Sequence, residues 1–218
     1  LGTRHVIDAC LAEQVGRLIY TSTPSVVHAG GDIEGADESL PYPDSFHAHY
    51  PRTKAAAERA VLAANGDQLA TVALRPHLIW GPGDTNLVPR ILARARAGRL
   101  RFVGTTPKLV DTTYIDNAVD AHLCALRQLE PGAACAGKAY FIANGEPVLQ
   151  SSIINGILEA GGLPPNDQFI SATAARIVGG VLEAAYWLFR LRGEPPMTRF
   201  LAEQLSTAHW YDLSAAAR

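Results

Sequence analysis

Tyr50 and Lys54 are the residues whose types and spacing most directly suggest chemistry. Side chains four residues apart on a helix rise from the same face, so a phenol and an ammonium would lie one turn apart. A phenol with its ordinary pKa of about 10 is a poor acid or base at neutral pH. A neighbouring ammonium favours the phenolate and lowers that pKa. The pair could therefore exchange a proton with an alcohol or a ketone.

Thr23 is the third residue of this candidate site, and it follows the apolar stretch 17–21. A hydroxyl at the end of a neighbouring strand could hold the same substrate oxygen while hydride passes to or from a nicotinamide. Two hydroxyl donors aimed at one oxygen would stabilise the charge that develops on it. The three residues together lead to the hypothesis of a carbonyl and alcohol oxidoreductase.

The elements that must position these residues alternate between helices and apolar strands. Helical patterns cover residues 2–15 and 50–64, and short apolar runs typical of buried parallel strands cover 17–21, 69–74 and 138–143. Residues 22–49, between the first apolar run and the second helical pattern, are rich in Gly, Pro, Asp and Ser and predict a long loop. The alternation predicts an α/β fold with a Rossmann-like, doubly wound parallel sheet.

Three local patterns lead to further structural predictions. Pro76 has no N–H for a sheet ladder, so strand pairing is expected to fail there. Residues 100–103 and 109–115 are predicted to be short strands on either side of a Gly-Thr-Thr-Pro turn. Asp116 is predicted to be the N-cap of a helix that runs to Leu129.

The carboxyl-terminal part is predicted to be a smaller, mostly helical region. Residues 151–160 are amphipathic, and residues 174–191 carry large apolar side chains almost continuously. Arg176, Glu183 and Arg190 argue against a membrane span in the second segment. Two interpretations stay open for this helix: a packed helix, or a lid or interfacial surface over a lipophilic substrate.

Composition limits the classes of function. The net charge of −2 over 218 residues gives no charge-driven affinity for nucleic acid. Cys10, Cys124 and Cys135 are too few and too scattered for a disulfide framework or a zinc site, and they fit a reducing compartment such as the cytoplasm. His47 and His49 flank Tyr50 without acidic or thiol partners at ligand spacing, so no metal is expected.

Four motifs in chain order resemble those of the extended short-chain dehydrogenase/reductases, in the branch similar to 3β-hydroxysteroid dehydrogenases. The motifs are Tyr20-Thr21-Ser22-Thr23, Tyr50-x-x-x-Lys54, Arg75-Pro76-x-x-Ile79-x-Gly81-Pro82-Gly83 and Thr113-Tyr114-Ile115-Asp116-Asn117. A Tyr and a Lys at this spacing are weak grounds alone, because the spacing arises by chance. Four motifs in the right order make the resemblance specific.

The resemblance implies roles for the three candidate residues. Thr23 would occupy the family's catalytic Ser/Thr position, and Tyr50 would donate or accept the proton. Lys54 would both tune Tyr50 and bind the nicotinamide ribose. A threonine in place of serine still supplies the hydroxyl.

Binding residues are also implied by the resemblance. Those for the cofactor are Thr21, Tyr50, Lys54 and Pro76, and those for the substrate are Ser25 and His77. A second interpretation of His77, as a packing residue at a strand end, stays open because the motif does not fix the direction of its side chain.

The family's glycine-rich pyrophosphate loop does not occur in this sequence, nor does the residue that selects NAD or NADP. The sequence starts at Leu1 with Met197 as its single Met, and residues 214–218 resemble the start of a helix without a terminator, so we expect a segment cut at both ends. Because Leu1 falls at what resembles the helix before the Thr23 strand, most of the nucleotide half would be missing, and the segment alone would bind its cofactor weakly.

Residues 1–143 would be the carboxyl side of a NAD(P)-binding domain, with 76–115 contributing to the substrate side. Residues 144–218 would be the substrate or lid region. The expected cofactor is NADP or NAD, with NADPH favoured.

Within this branch the sequence resembles bacterial 2-alkyl-3-oxoalkanoate reductases and sterol-4α-carboxylate 3-dehydrogenases. The expected reaction is reduction of a 2-alkyl-3-oxoalkanoate, with 3β-hydroxysteroid or sterol-4α-carboxylate oxidation as the alternative. A sugar-nucleotide epimerase or dehydratase and a non-catalytic scaffold are further alternatives. The implied partners are a small lipophilic substrate, a second copy joined through the Tyr50 helix, and peripheral contact with a membrane.

Overall fold

The computed structural model describes residues 2–193 and 195–218. Its helices are α1 (Gly2–Ala12), α2 (His49–Ala63), α3 (Leu87–Arg96), α4 (Ile115–Gln128), α5 (Gln150–Ala160), α6 (Ala172–Leu188) and α7 (Arg199–Ser206). Its strands are β1 (Arg17–Thr21), β2 (Ile33–Ala36), β3 (Ala70–Pro76), β4 (Ile79–Trp80), β5 (Phe102–Val103), β6 (Leu109–Val110), β7 (Thr113–Tyr114), β8 (Lys138–Ile142), β9 (Val148–Leu149), β10 (Phe169–Ile170) and β11 (His209–Tyr211). A 3₁₀ helix covers Pro24–Val27.

A parallel sheet in the order β1-β3-β8 organises the fold. Every residue of the central strand β3 is buried, whereas β1 is only half-buried. Helices α1 and α2 pack on one face around Val61 and Leu69, and α4 packs on the other face around Val72 and Leu129. Helices on both faces of a parallel sheet confirm the predicted Rossmann-like α/β fold.

The predicted loop at 22–49 contains regular structure that its composition does not indicate. It begins with the 3₁₀ helix and continues into β2, which pairs in parallel with β11. Ile33 lies opposite His209, so the partner of this strand is far away along the chain. The prediction of one long loop is therefore wrong for the 3₁₀ helix and for β2, because the pairing that orders β2 is not local.

Pro76 is the last residue of β3 and pairs with Ile142, so the prediction that pairing fails there is wrong. The N–H of His77 donates to the Ile142 carbonyl at 3.1 Å, and the ladder requires no N–H from proline. The backbone N–H groups of successive residues in a strand point alternately to its two neighbouring strands. The His77 N–H points to β8, so an N–H at position 76 would point toward β1, which has already ended at Thr21. Proline is tolerated because its lost donor has no acceptor to meet.

Two other predictions are revised around residues 100–116. The strands on either side of the 104–107 turn belong to different sheets, because β5 pairs with β10 while β6 pairs with β9 and β11. Helix α4 begins at Ile115 with Tyr114 as its N-cap residue, so Asp116 is not the N-cap. Asp116 lies in the first turn, where a carboxylate still interacts favourably with the helix dipole.

The carboxyl-terminal residues contain the predicted helices α5 and α6, followed by α7. Ser171 accepts the Ala174 N–H at 3.1 Å and caps α6. Helix α6 packs closely on α7, and β11 then returns to pair with β2 and β6. Among the helices of the described residues, none has the length and apolar character needed to cross a bilayer.

Candidate active site

The structure brings the end of β1 against the first turns of α2. The Lys54 ammonium donates to the Thr21 carbonyl with an Nζ to O distance of 2.6 Å. The same nitrogen lies 4.4 Å from the centre of the Tyr20 ring. Tyr50, one turn earlier on α2, is 53% exposed. The lysine is thus fixed at the strand end, while the phenol of Tyr50 remains open to a ligand.

Burial disfavours the charged form of Lys54. Desolvation is the largest influence and lowers the pKa of Lys54, while the carboxylate of Glu58 acts in the opposite direction. Within the described residues, the ammonium donates one hydrogen bond, to the Thr21 carbonyl, although it has three protons to donate. Lys54 therefore retains donors for a bound molecule.

Thr23 and Ser25 form a pair of hydroxyls after β1. Thr23 is buried and caps the 3₁₀ helix, where its Oγ1 accepts the Ser25 N–H at 3.3 Å. The same hydroxyl donates to Ser25 Oγ, also at 3.3 Å. The 3₁₀ helix packs on α2, so both hydroxyls lie on an element next to the Tyr50 helix. Between Thr21 and Thr23, the buried Ser22 hydroxyl has no hydrogen-bond partner in the described part of the chain.

The end of β3 lies beside the end of β1. Thr21 is opposite Leu74, and the Ser22 N–H continues the ladder to the Leu74 carbonyl at 2.6 Å. Pro76 follows at the carboxyl edge of the sheet, where parallel sheets bind ligands. This edge therefore brings Pro76 to the same side of the sheet as Thr21 and Lys54.

His77 lies in a packed environment beyond that edge. Its ring is buried 5.7 Å from the His209 ring and 5.6 Å from the Tyr211 ring, measured between centroids. Its Nδ1–H donates to the Asp111 carbonyl at 2.6 Å, and burial lowers the pKa of His77 to about 4. These contacts favour the packing interpretation of His77, and its contact with substrate remains a prediction.

A buried ion pair beneath the site was not anticipated from the sequence. Glu58 accepts from Arg75 Nη2 at 2.7 Å and from Arg75 Nε at 3.1 Å, and both side chains are almost fully buried. The Tyr42 hydroxyl donates to the same carboxylate at 2.6 Å, and burial raises the pKa of Tyr42 to about 12. The sequence spacing could have placed Glu58 near the site, because Glu58 follows Lys54 by four residues and therefore lies on the same helix face.

His122 is a second residue that the sequence analysis missed. Its Nδ1–H donates to the Ala118 carbonyl at 2.7 Å, since a carbonyl can only accept. The other nitrogen of the neutral ring then accepts from the Thr21 hydroxyl at 2.8 Å. The side chain of Thr21 is thus oriented by α4 while its carbonyl holds Lys54.

A separate apolar cavity of about 700 Å³ lies between α3 and α5. Its apolar lining includes Trp80, Val88, Leu92, Val148, Ile153 and Ile157. No residue of the sequence-predicted site lines it, although Trp80 follows Pro76 by four positions. In residues 2–193 and 195–218, no group of three or more His, Cys, Asp or Glu side chains is arranged to hold a metal ion.

Two curated reductases match the chain over 99–100% of its length, and a sterol dehydrogenase matches 68% of it. The chain is 58% identical over 221 residues to the 2-alkyl-3-oxoalkanoate reductase of Stenotrophomonas maltophilia, covering 100% of this chain and 67% of that protein. It is 52% identical to the Shewanella oneidensis protein of the same name, covering 99% of this chain and 58% of that protein. The human sterol-4-alpha-carboxylate 3-dehydrogenase, decarboxylating, is 42% identical over 151 residues, which are 68% of this chain and 40% of that enzyme.

Solved structures share the fold at low sequence identity. The crystal structure of gox2253 matches 99% of this chain and 63% of that chain, with a TM-score of 0.72 and 23% identity. The UDP-glucose 4-epimerase of Thermus thermophilus, solved with NAD, matches 78% of this chain and 56% of that chain, with a TM-score of 0.61 and 24% identity. The family model described as "3-beta hydroxysteroid dehydrogenase/isomerase family" matches residues 1–170. Because of that match and of the 58% and 52% identity to the two curated reductases, the chain belongs to the 3-beta hydroxysteroid dehydrogenase/isomerase family.

Proposed function

We propose that this chain carries the proton-transfer site of an NAD(P)-dependent reductase that converts a 2-alkyl-3-oxoalkanoate to the 2-alkyl-3-hydroxyalkanoate. The observation that carries the proposal is 58% identity, over the whole chain, to a protein named for that activity. The chain spans 67% of the Stenotrophomonas maltophilia protein, 58% of the Shewanella oneidensis protein and 40% of the human one, so the activity belongs to the full-length protein. The arrangement of Thr21, Tyr50 and Lys54 supports the same chemistry.

The residues present fit the nicotinamide ribose end of a dinucleotide at the carboxyl edge of the sheet. Lys54 retains unused donors suited to ribose hydroxyls, and the buried Ser22 hydroxyl lacks a partner in the described residues. Thr21 and Pro76 complete the proposed cofactor contacts at the ends of β1 and β3. The nicotinamide, when bound, supplies the hydride, and NADPH is the proposed donor.

In the proposed mechanism, Tyr50 donates a hydrogen bond and then a proton to the 3-oxo oxygen of the substrate. Thr23 donates a second hydrogen bond to that oxygen, while Ser25 contacts the substrate beside it. The Lys54 ammonium, one turn along α2, favours the phenolate that Tyr50 becomes after proton transfer. His77 completes the proposed substrate contacts from the end of β3.

The substrate class rests on apolar surface as well as on the relatives. The cavity between α3 and α5 offers apolar walls near the same edge of the sheet, which suits a lipophilic substrate. We retain residues 1–143 as the nucleotide-binding part, with 76–115 contributing to the substrate side, and 144–218 as the substrate region. A homodimer through α2, a cytoplasmic location and contact with a membrane surface complete the proposal.

Oxidation of a sterol 4-carboxylate at its 3-hydroxyl is the second candidate function. The 42% identity to the human decarboxylating sterol dehydrogenase favours it over the sugar-nucleotide enzymes, which show likeness in fold alone. Nicotinamide absorbance of the full-length protein distinguishes these functions when a 2-alkyl-3-oxo acid, a 3β-hydroxysteroid and a UDP-sugar are supplied in parallel. Reduction of the oxo acid with NADPH, faster than with NADH, is the expected result.

Replacement of Tyr50 by Phe tests the proton donor in the full-length protein. We expect turnover of the 3-oxo acid to fall by at least about 100- to 1000-fold, because one of two donors to the reacting oxygen is lost. Nucleotide binding, followed by fluorescence titration, should be retained. Tyr186→Phe, the same change on α6, is the matched control and should keep normal turnover. Near-normal turnover in Tyr50→Phe would exclude the assignment.

A further inference from the structure

His122 connects α4 to the candidate active site on the opposite face of the sheet. Its Nε2 lies 2.8 Å from the Thr21 hydroxyl oxygen. Thr21 is exposed at the carboxyl end of β1, where parallel sheets bind ligands. The carbonyl of the same residue accepts from Lys54 at 2.6 Å. Thr21 therefore joins α4 through its side chain and α2 through its backbone.

The surroundings of the His122 ring fix the direction of its hydrogen bond to Thr21. Nδ1 lies 2.7 Å from the Ala118 carbonyl oxygen, which can only accept, so Nδ1 carries the ring proton. Nε2 of the neutral ring then has a lone pair and accepts from the Thr21 hydroxyl. A hydroxyl has a single proton, and that of Thr21 points to His122. Toward a ligand, the Thr21 oxygen is therefore an acceptor.

Lys54 has the complementary role at the same strand end. An ammonium only donates, and one of its three protons goes to the Thr21 carbonyl. The end of β1 thus offers donors from Lys54 and an acceptor from the Thr21 side chain. A hydroxyl group both accepts and donates, so a single ligand hydroxyl can use both. The ribose of a nicotinamide nucleotide carries hydroxyls of this kind.

We propose that His122 is a positioning residue for the cofactor, which holds the Thr21 hydroxyl as an acceptor for a hydroxyl of the nicotinamide ribose. The ligand is the nucleotide of the proposed function, on which this role of His122 rests. Hydrogen bonds then run in one direction, from Lys54 through the ribose hydroxyl and Thr21 to His122 and the Ala118 carbonyl. Bonds in such a chain strengthen one another. Without His122 the Thr21 hydroxyl rotates freely, and fixing it on binding lowers the affinity.

Titration of the full-length protein with NADPH and with NADH, followed by nicotinamide fluorescence, tests this role without turnover. His122→Leu should raise the Kd by about three- to tenfold, the range expected for one hydrogen bond. His122→Gln should restore most of the affinity, because an amide oxygen can accept the Thr21 proton in place of Nε2. His5→Leu makes the same change at an exposed histidine of α1 and is the matched control, with the Kd unchanged.

Thr21→Val separates positioning from a general loss of packing. Valine keeps the branched shape and the carbonyl that holds Lys54, but it removes the hydroxyl. In this background His122→Leu should have no further effect on the Kd, because the group that His122 positions is gone. A purely structural role of His122 would instead make the two effects additive.

ADP provides a second readout, because it lacks the nicotinamide ribose. Its Kd, measured by calorimetry, should be the same in the wild-type protein and in all of these variants. Unchanged affinity for both nicotinamide nucleotides in His122→Leu, additive effects in the double variant, or an equal loss of ADP affinity would each overturn the role of His122. Absence of NADPH and NADH binding by the wild-type protein would overturn the proposed function itself, and the role of His122 with it.

Discussion

Tyr50, Lys54 and Glu58 lie four residues apart along one face of α2 and become progressively more buried. The phenol is open to a ligand, the ammonium is half-buried at the end of β1, and the carboxylate is fully buried against Arg75. Burial disfavours the charge on Lys54, and the anion one turn deeper favours it. A single helix thus presents the proposed proton donor, the ammonium and the buried carboxylate on one face.

The pair Glu58 and Arg75 gives a prediction about stability at the residue scale. Replacement of Glu58 by Gln removes the anion and leaves a buried guanidinium without compensation, as well as a weaker acceptor for Tyr42. Breaking a buried pair from one side costs about 3–5 kcal/mol of unfolding free energy. Urea denaturation of the wild-type and variant proteins measures the difference.

Glu183→Gln is the matched control for that change. Glu183 pairs with Arg199 at 2.7 Å, but the arginine side chain is 69% exposed. Exposed pairs contribute about 0–1 kcal/mol, so we expect a small effect. Equal losses of unfolding free energy in Glu58→Gln and Glu183→Gln would show that burial does not increase the contribution of the Glu58–Arg75 pair to stability.

Local patterns predicted the elements that carry the proposed site. The apolar run at 17–21 coincides with β1, and the helical pattern at 50–64 lies within one residue of α2 at each end. These elements are specified by side-chain periodicity over neighbouring residues. The sequence therefore allowed Tyr50 and Lys54 to be placed together, since their spacing and their helix are both local properties.

Elements that depend on distant partners could not be predicted in the same way. Strand β2 is ordered by β11, and the Thr21 side chain is oriented by His122 on α4. No spacing pattern relates residues that lie so far apart in the chain. The direction of His77 was open for the same reason, because its neighbours His209 and Tyr211 come from the last strand.

The contact between α6 and α7 gives a prediction at the scale of elements. A Cβ at position 179 would meet the backbone of Thr198 and Arg199 at 2.6 to 2.9 Å, and backbone cannot move aside as a flexible side chain can. Gly179→Ala should therefore lower the free energy of unfolding by about 1–3 kcal/mol, despite the better helix propensity of alanine. Thermal unfolding followed by circular dichroism measures this effect.

The neighbouring Gly180 is a control with the opposite expected sign. A Cβ there would meet only the Arg199 side chain, at 3.6 Å. Gly180→Ala should then raise the free energy of unfolding by up to about 1 kcal/mol through helix propensity. Similar midpoints for the two variants would contradict the close approach of α6 and α7.

At the scale of the whole molecule, three buried histidines join distant parts of the chain. His28 follows the 3₁₀ helix, His77 follows β3, and His209 begins β11. The His209 ring lies 4.9 Å from the His28 ring and 5.7 Å from the His77 ring, measured between centroids. Protonation of any one of them would place a charge within the packed interior.

The surroundings of the cluster disfavour protonation. Burial lowers the pKa of all three rings, to about 4 for His77 and about 3 for His209. Repulsion from the charged form of His28 also lowers the pKa of His77, and repulsion from His77 and His28 lowers that of His209. Asp32 beside His209 and Glu203 beside His28 act in the opposite direction, but they do not reverse the shift.

These lowered pKa values predict that the protein loses stability in mild acid. A histidine whose pKa is about 6.5 in the unfolded chain and lower in the folded one stabilises the fold fully above about 6.5. That contribution decreases as the pH falls from 6.5 toward 4, and His77 alone represents about 3 kcal/mol over this interval. Urea unfolding between pH 7.5 and about 4.5 should show the decline.

Variants separate this cluster from the acidic groups that titrate nearby. His77→Gln retains a side-chain donor for the Asp111 carbonyl but does not titrate, so its stability should depend less steeply on pH, even where it is lower overall. His49→Gln changes an exposed histidine on α2 and should leave the wild-type slope unchanged. An identical slope in His77→Gln would assign the acid sensitivity to the carboxylates. A shallower slope would show that neutral histidines hold β3, β11 and the 3₁₀ helix together.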